Sequence, residues 1–290
     1  MTQFLSQIVV ALVHEKAFRD LGSGFKMIRI IPQKNNVAAE INCDLNKLTS
    51  YKLKQIKSAL NNYGLVYFRK QKLSSKSYLN FAKKFGALAN YPRLKGLNSK
   101  YPKITVVERK ASDRGPSFGE QFHTDSSYTK KPPRFTMLLS KLVPARGIAN
   151  TEFSSQYLAF KNLPIKIKKK LKNLKAIFSS AGPISVTRLD RENEKGKDNK
   201  ELKANHKIIR KINKKFTIYC SPGHFKKFLS NNKKYNKELK KFLFKHQVKK
   251  KFQYSLEWEK NQLAIWDNRS MLHQATPFKG TRIMHRITIQ

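Results

Sequence analysis

Acidic side chains are scarce in this sequence. Its 290 residues include 18 aspartates and glutamates against 61 lysines and arginines, which gives a formal net charge of +43. Such an excess is typical of proteins that bind nucleic acids or anionic membranes, because clustered cations release counterions from polyanions. The lysines are spread over many segments instead of forming one block, which favours a lysine-rich solvated surface. We therefore expect no specific nucleic-acid partner and keep a nucleic-acid substrate as the alternative.

Cysteines and long apolar runs are also nearly absent. With Cys43 and Cys220 alone, no disulfide framework is expected, which favours a reducing, cytoplasmic setting. Nothing approaches the ~18 consecutive apolar residues that cross a bilayer, so no membrane partner is expected. The short apolar run at residues 8–13 has no basic residue before it, unlike a signal peptide. The oligomeric state is left open, with a homo-oligomer among the alternatives.

No internal repeat and no proline- or glycine-rich linker divides the chain. The sequence therefore predicts one domain at residues 27–290, with many strands and several covering helices. Residues 1–26 differ in character and are interpreted as an N-terminal extension, either disordered or preceding a true start at Met27. Residues 190–204 are highly charged and lack apolar periodicity, so we interpret them as a mobile excursion or lid.

Apolar periodicity predicts the individual elements. The clearest helix lies between a capping residue, Thr49 or Ser50, and Gly64. Further helices are predicted at residues 78–85, 158–174 and 236–247. Strands are predicted around Ile208 and at residues 27–32, 65–68, 104–107, 135–142, 216–219, 254–258, 263–266 and 282–289.

Histidine and aspartate residues form a candidate metal site. In an extended segment, residues two apart point to the same side, so His123 and Asp125 can place an imidazole and a carboxylate on one metal ion. A second histidine from a distant strand would complete one face of an octahedron, and His273 lies in a suitable downstream segment. Two histidines and one carboxylate are the ligands of non-haem Fe(II) oxygenases. Taken alone, a His-x-Asp pattern is more often a surface pair.

The last predicted strand carries two arginines on one face. Alternation places Arg282, Met284 and Arg286 together on that face. Buried arginines need anions, because an unpaired buried charge costs several kcal/mol. One arginine can bind the distal carboxylate of a keto acid and the other a second anion, since guanidinium groups bind carboxylates bidentately. The alternative is pairing with an acidic side chain from a neighbouring strand, although the chain has only 18 acids.

A series of short motifs extends over most of the chain. In order they are Ala-Glu-Ile-Asn-Cys-Asp-Leu at 39–45, Tyr-Gly-Leu-Val-Tyr-Phe-Arg-Lys-Gln at 63–71, Phe-Ala-Lys-Lys-Phe-Gly at 81–86, His-Thr-Asp at 123–125, Pro-Pro at 132–133, Ile-Trp-Asp-Asn-Arg at 265–269 and Arg-Ile-Met-His-Arg at 282–286. In order and spacing, this series resembles the TauD/TfdA (taurine dioxygenase-like) family of Fe(II)- and 2-oxoglutarate-dependent dioxygenases. The resemblance covers residues 27–290.

This resemblance implies a mainly β fold with flanking helices, a double-stranded β-helix (jelly roll, cupin-like) of the clavaminate synthase/taurine dioxygenase type. It implies that His123, Asp125 and His273 bind Fe(II). It also implies that Arg282, helped by the hydroxyl of Thr151, binds the distal carboxylate of 2-oxoglutarate. The implied reaction uses O2 to hydroxylate a small, anionic, sulfonate- or carboxylate-like substrate and releases succinate and CO2.

Three residues are candidate substrate contacts. By the same resemblance, Arg286 would face the acidic group of the substrate. Tyr91 stands where taurine-type members carry a histidine that contacts the sulfonate. The family's Asn-x-Trp-His is represented here by Gln121, Phe122 and His123. The differences at Tyr91 and Gln121 weaken the case for taurine itself as the substrate.

Overall fold

The computed structural model describes residues 27–91, 96–185 and 200–290. The predicted extension at residues 1–26 lies outside these ranges, as do residues 190–199 of the predicted lid. The end of that predicted lid is a strand instead, because Ala204 is buried, pairs with Phe178 and alternates with exposed neighbours.

The described residues form sixteen β-strands. In chain order they are β1 (Arg29–Pro32), β2 (Ala39–Asn42), β3 (Leu65–Phe68), β4 (Leu88–Ala89), β5 (Thr105–Arg109), β6 (Phe135–Leu142), β7 (Thr151–Ser155), β8 (Lys175–Ser179), β9 (Lys203–Lys207), β10 (Ile209–Ile212), β11 (Lys215–Ile218), β12 (Phe225–Phe228), β13 (Gln253–Leu256), β14 (Leu263–Asp267), β15 (Met271–Ala275) and β16 (Arg282–Ile289).

Two of the sheets enclose the inner core. The large sheet has the order β1-β2-β3-β14-β6-β16-β4, with β5 also paired to β16, and the smaller one has the order β13-β7-β15. Phe153 of β7 packs against Trp266 of β14, with ring centroids 5.3 Å apart. The residues between β7 and β13 form a three-stranded sheet, β12-β8-β9, and a hairpin of β10 and β11. The mainly β jelly roll predicted from the motifs is confirmed.

Helices α1 (Ser50–Tyr63) and α2 (Ser75–Lys83) pack on the other face of the large sheet. The α1 helix begins where the Thr49 side chain accepts a hydrogen bond from the amide of Lys52, and it ends at Gly64 with a left-handed φ of 77°. Both ends of α1 agree with the prediction. The α2 helix begins three residues before the predicted Tyr78, because the side chain of Ser74 caps it.

The predicted helix at residues 158–174 is wrong in one respect. Two short helices occupy this region, α3 (Gln156–Lys161) and α4 (Ile165–Leu171). Pro164 lies between them as the residue that precedes α4. Proline has no amide hydrogen and clashes with the preceding turn, so it ends a helix that apolar periodicity alone would continue.

The last helix, α5 (Lys233–Gln247), begins earlier than predicted because Asn232 caps it with its side chain. Its buried residues Leu239 and Leu243 join the core beneath the β12-β8-β9 sheet. No helix within the described ranges combines the length and apolar character needed to cross a membrane.

Candidate metal centre

A pair of main-chain hydrogen bonds holds His123 beside His273. His273 lies in β15, and His123 faces it as an isolated antiparallel bridge. The amide of each histidine donates to the carbonyl of the other, both at 2.9 Å. Residues directly opposite one another in such a bridge project their side chains to the same side. The two imidazole ring centroids therefore lie only 4.2 Å apart.

Asp125 completes a buried cluster with these histidines. Its Oδ1 atom lies 3.7 Å from Nε2 of His123 and 3.8 Å from Nε2 of His273. One ligand atom from each residue lies within 4.8 Å of the other two. These distances are too long for hydrogen bonds and leave room for one ion among the three atoms. Two imidazoles and one carboxylate form a donor set that fits Fe(II).

The main chain orients the imidazole of His123. Its Nδ1 atom lies 2.7 Å from the carbonyl oxygen of Gln121. A carbonyl accepts hydrogen bonds but cannot donate them, so Nδ1 is the donor and Nε2, on the side of Asp125, is the ring atom available to a metal. Burial and the nearby His123 ring lower the pKa of His273 well below its ordinary value. His273 is therefore neutral, which is the form of imidazole that binds metals.

The two carboxylate oxygens of Asp125 have different surroundings. Oδ1 faces the two imidazoles, whereas Oδ2 accepts a hydrogen bond from the Thr136 hydroxyl at 2.6 Å and lies 3.0 Å from Nη2 of Arg286. Burial alone would raise the pKa of this carboxyl, but Arg286 and the histidines outweigh it and hold the pKa well below its usual range. Asp125 is therefore ionised, as a metal ligand must be.

Arg282 and Arg286 both point inward from β16, as strand alternation predicts. Their exposed fractions are 7% and 3%, and Met284 between them is also buried. Ile283 and His285, on the other face of the strand, are partly exposed.

The contacts of the two arginines differ. Arg286 has an acidic partner, Asp125, and its guanidinium carbon lies 4.2 Å from the ring centroid of Tyr91. Arg282 donates from Nη1 to the carbonyl of Ala149 at 3.2 Å and lies over the ring of Phe278. Arg286 thus has the acidic partner that the alternative supposed, and that acid is the candidate metal ligand itself.

Thr151 lies at the start of β7, in the same cavity as Arg282. The indole Nε1 of Trp258 donates to the Thr151 hydroxyl oxygen at 2.9 Å. Because an indole N–H can only donate, Thr151 accepts this bond and keeps its own hydroxyl hydrogen for an acceptor elsewhere.

The remaining two predicted residues lie near the site in different ways. Tyr91 is partly buried and packs edge-on against Phe118, with ring centroids 6.4 Å apart. The contact described for Gln121 is made by its main-chain carbonyl, which orients His123. A substrate contact by the Gln121 side chain stays a prediction.

One cavity contains the three candidate ligands, Thr151 and both arginines. Its other walls are mainly apolar and come from Val107, Phe118, Gly119, Leu138, Trp266, Ala275 and Met284. A second small cavity adjoins His123 and Asp125 and adds Tyr91, Ser126, Ile184 and His224. Sequence reasoning missed Phe118, Ile184 and His224, because they lie in loops and turns where no periodicity marks the inward side.

Comparisons with known proteins show the family of this chain. Residues 29–288 match the model of the family described as "Taurine catabolism dioxygenase TauD, TfdA family". A 2,4-dichlorophenoxyacetate dioxygenase of Burkholderia sp. (strain RASC) is 24% identical over an alignment of 251 residues that covers 81% of this chain and 83% of that protein. A sulfate ester dioxygenase of Pseudomonas putida is 24% identical over an alignment of 277 residues that covers 89% of this chain and 88% of that protein.

The fold is also that of a solved taurine dioxygenase from Burkholderia xenovorans. The two structures superpose with a TM-score of 0.76 at 22% identity, over 91% of this chain and 89% of the other. The family match covers nearly the whole described chain. This protein therefore belongs to the taurine catabolism dioxygenase TauD, TfdA family of Fe(II)- and 2-oxoglutarate-dependent dioxygenases.

Proposed function

We propose that this enzyme hydroxylates a small organic anion, with His123, Asp125 and His273 holding the Fe(II) ion. The observation that carries this proposal is the pair of buried arginines on one face of β16, in the same cavity as the three candidate ligands. Bound Fe(II) supplies the redox chemistry that couples oxidation of 2-oxoglutarate by O2 to hydroxylation of a substrate C–H bond.

Arg282 and Thr151 are suited to the distal carboxylate of 2-oxoglutarate. Both line the cavity, and the bond from Trp258 leaves the Thr151 hydroxyl able to donate. A guanidinium and a hydroxyl that converge on one carboxylate provide charge and direction together. The apolar side chains of Leu138 and Met284, which line the same cavity, would pack against the methylene groups of the keto acid.

Charge balance favours an anionic primary substrate. Two guanidinium groups and one carboxylate line the cavity, and both histidines are neutral when they bind metal. A divalent metal and a dianionic keto acid then leave one positive charge in a buried site, where an unpaired charge is costly. A monoanionic substrate near Arg286, with Tyr91 and Gln121 beside it, would cancel this charge.

Relatives named for chlorophenoxyacetate and sulfate ester oxidation fit this substrate class. Both named substrates are small organic anions. The differences at Tyr91 and Gln121 weaken the case for taurine as this anion.

The test has a binding step and a turnover step. We expect the protein, mixed anaerobically with Fe(II) and 2-oxoglutarate, to show the weak visible charge-transfer band of a chelated keto acid. His123→Ala should lose the band and keep its circular dichroism spectrum. Succinate release is then measured with aryloxyacetates, alkyl sulfonates and alkyl sulfate esters, each beside its neutral amide or alcohol counterpart.

We expect at least one anion to stimulate succinate release about ten- to a hundredfold over its neutral counterpart, since a charge-assisted contact contributes ~1.5–3 kcal/mol. A folded wild-type protein without the band would contradict the iron site. Equal stimulation by a neutral counterpart would contradict the anionic substrate class.

A further inference from the structure

Of the two carboxylate oxygens of Asp125, Oδ1 faces the two histidines, and Oδ2 is contacted by Thr136 and Arg286. Within residues 27–91, 96–185 and 200–290, the Thr136 hydroxyl makes the one directed hydrogen bond to Oδ2. Arg286 brings its Nη2 atom to 3.0 Å from Oδ2, but its N–H bonds are not aimed at that oxygen. Arg286 therefore supplies charge, and Thr136 supplies direction.

Two consecutive hydrogen bonds determine which way the Thr136 hydroxyl points. The indole Nε1 of Trp266 lies 3.0 Å from Oδ1 of Asn268. An indole N–H can only donate, so the Asn268 oxygen must face Trp266 and its amide nitrogen must face the opposite way. That nitrogen, Nδ2, lies 2.9 Å from Oγ1 of Thr136 and donates to it.

The direction of these hydrogen bonds leaves the Thr136 hydroxyl free to act only as a donor to Asp125. Thr136 Oγ1 accepts from Asn268, so its hydrogen is directed to Oδ2 of Asp125, 2.6 Å away. Thr136 and Asn268 are both almost fully buried, with exposed fractions of 0% and 1%. Each bond in such a buried chain polarises the next, and no water competes for the same atoms.

We propose that Thr136 and Asn268 are positioning residues that keep Oδ2 of Asp125 away from the metal, so that this aspartate supplies a single oxygen. A six-coordinate ion with two imidazoles and one carboxylate oxygen keeps three positions open. A carboxylate that binds through both oxygens would leave two, whereas a bidentate keto acid and O2 together need three. The proposal rests on the metal site proposed above.

Two variants test the role with Mn(II) as the probe. Thr136→Val keeps the shape and removes the hydroxyl. Asn268→Asp keeps the volume but replaces the donor that faces Thr136 by an acceptor, which turns the Thr136 hydroxyl away from Oδ2. We count exchangeable waters on bound Mn(II) by pulsed EPR in ¹⁷O-enriched water and measure 2-oxoglutarate affinity by anaerobic titration.

We expect three waters in the wild type and two in both variants. We also expect the affinity for 2-oxoglutarate to fall about tenfold in both variants, because each loses the charge-assisted hydrogen bond from Thr136 to Asp125. Thr136→Ser, which keeps the hydroxyl, should restore both measurements. These readouts report on the coordination of the metal, which a loss of general stability would not change in a folded sample.

Thr288→Val is the matched control. Thr288 lies directly opposite Thr136 on β16, and its buried hydroxyl has no hydrogen-bond partner among the described residues. Its variant should keep three waters and wild-type affinity. If Thr136→Val does not fold, Asn268→Asp decides the question by the same two measurements.

The two proposals fail in different ways. Wild-type protein that binds no Mn(II), or binds it equally after His123→Ala, would overturn the metal site itself. Wild-type protein with three waters, beside folded Thr136→Val and Asn268→Asp variants that also keep three waters and full affinity, would overturn the positioning role alone.

Discussion

Arg286 contacts two neighbouring side chains. It lies against the Asp125 carboxylate on one side and the Tyr91 ring on the other. Burial disfavours the charged form of Arg286, but Asp125 and Tyr91 outweigh this and raise its pKa, so the cation persists in the cavity. Arg282, four residues away, contacts the Ala149 carbonyl and the Phe278 ring. The two arginines thus lie in separate parts of one cavity, which predicts separable roles.

We expect Arg282→Gln to raise the KM for 2-oxoglutarate by about ten- to a hundredfold, with a smaller change for the primary substrate. At saturating Fe(II), Arg286→Gln should mainly raise the KM for the primary substrate, with a smaller change for 2-oxoglutarate. Arg109→Gln is the control, because Arg109 pairs opposite Arg282 in the sheet but binds the carbonyls of Asp113 and Gly115. Steady-state kinetics with each substrate varied in turn give the answer, and an unchanged substrate KM in Arg286→Gln would remove its assigned role.

At the scale of elements, the end of α1 is packed closely against the strand that carries His273. A Cβ atom built on Gly64 would lie 2.7 Å from Sδ of Met271, the first residue of β15. Gly64 also has a φ of 77°, which residues with a side chain adopt at a cost of ~1–2 kcal/mol. The turn between α1 and β3 therefore needs glycine for two independent reasons.

Gly64→Ala should lower the free energy of unfolding by ~2–4 kcal/mol, from the backbone cost together with overpacking against Met271. Gly147→Ala is the matched control, because Gly147 has a φ of 86° but a Cβ atom there would meet nothing within 4 Å among the described residues. It should lose ~1–2 kcal/mol. Urea unfolding measures both, and equal losses would show that Met271 moves aside without cost.

Elements bounded by local signals could be predicted from the sequence, and those set by distant contacts could not. Thr49 and Gly64 marked the ends of α1, and alternation placed Arg282 and Arg286 on one face of β16. Pro164 was the local signal that residues 158–174 form two helices, but the apolar periodicity continues across it and favoured a single helix. The bond from Thr136 to Asp125 depends on Asn268 from beyond β14, a contact that no local pattern contains.

At the scale of the whole molecule, the net charge of +43 is the dominant property. Few of these charges are neutralised by the scarce acids, and like charges spread over a compact surface repel one another. The folded state holds them closer together than the unfolded chain does. Repulsion therefore opposes folding, and dissolved salt weakens this opposition.

We expect the melting temperature to rise as NaCl increases from ~10 mM to ~1 M, over which the screening length falls from ~30 Å to ~3 Å. Most of the rise should occur below ~0.2 M, where screening of surface charges changes fastest. Differential scanning calorimetry measures it, and KCl should give the same curve because screening depends on ionic strength. A melting temperature that falls with salt would contradict net repulsion.

The reciprocal main-chain bonds between His123 and His273 have a consequence for how the enzyme is loaded. Because these main-chain hydrogen bonds hold the two side chains together, we expect a chelator to remove the metal without unfolding the two sheets. The apo protein should therefore fold without iron, and we expect it to regain activity when Fe(II) is added.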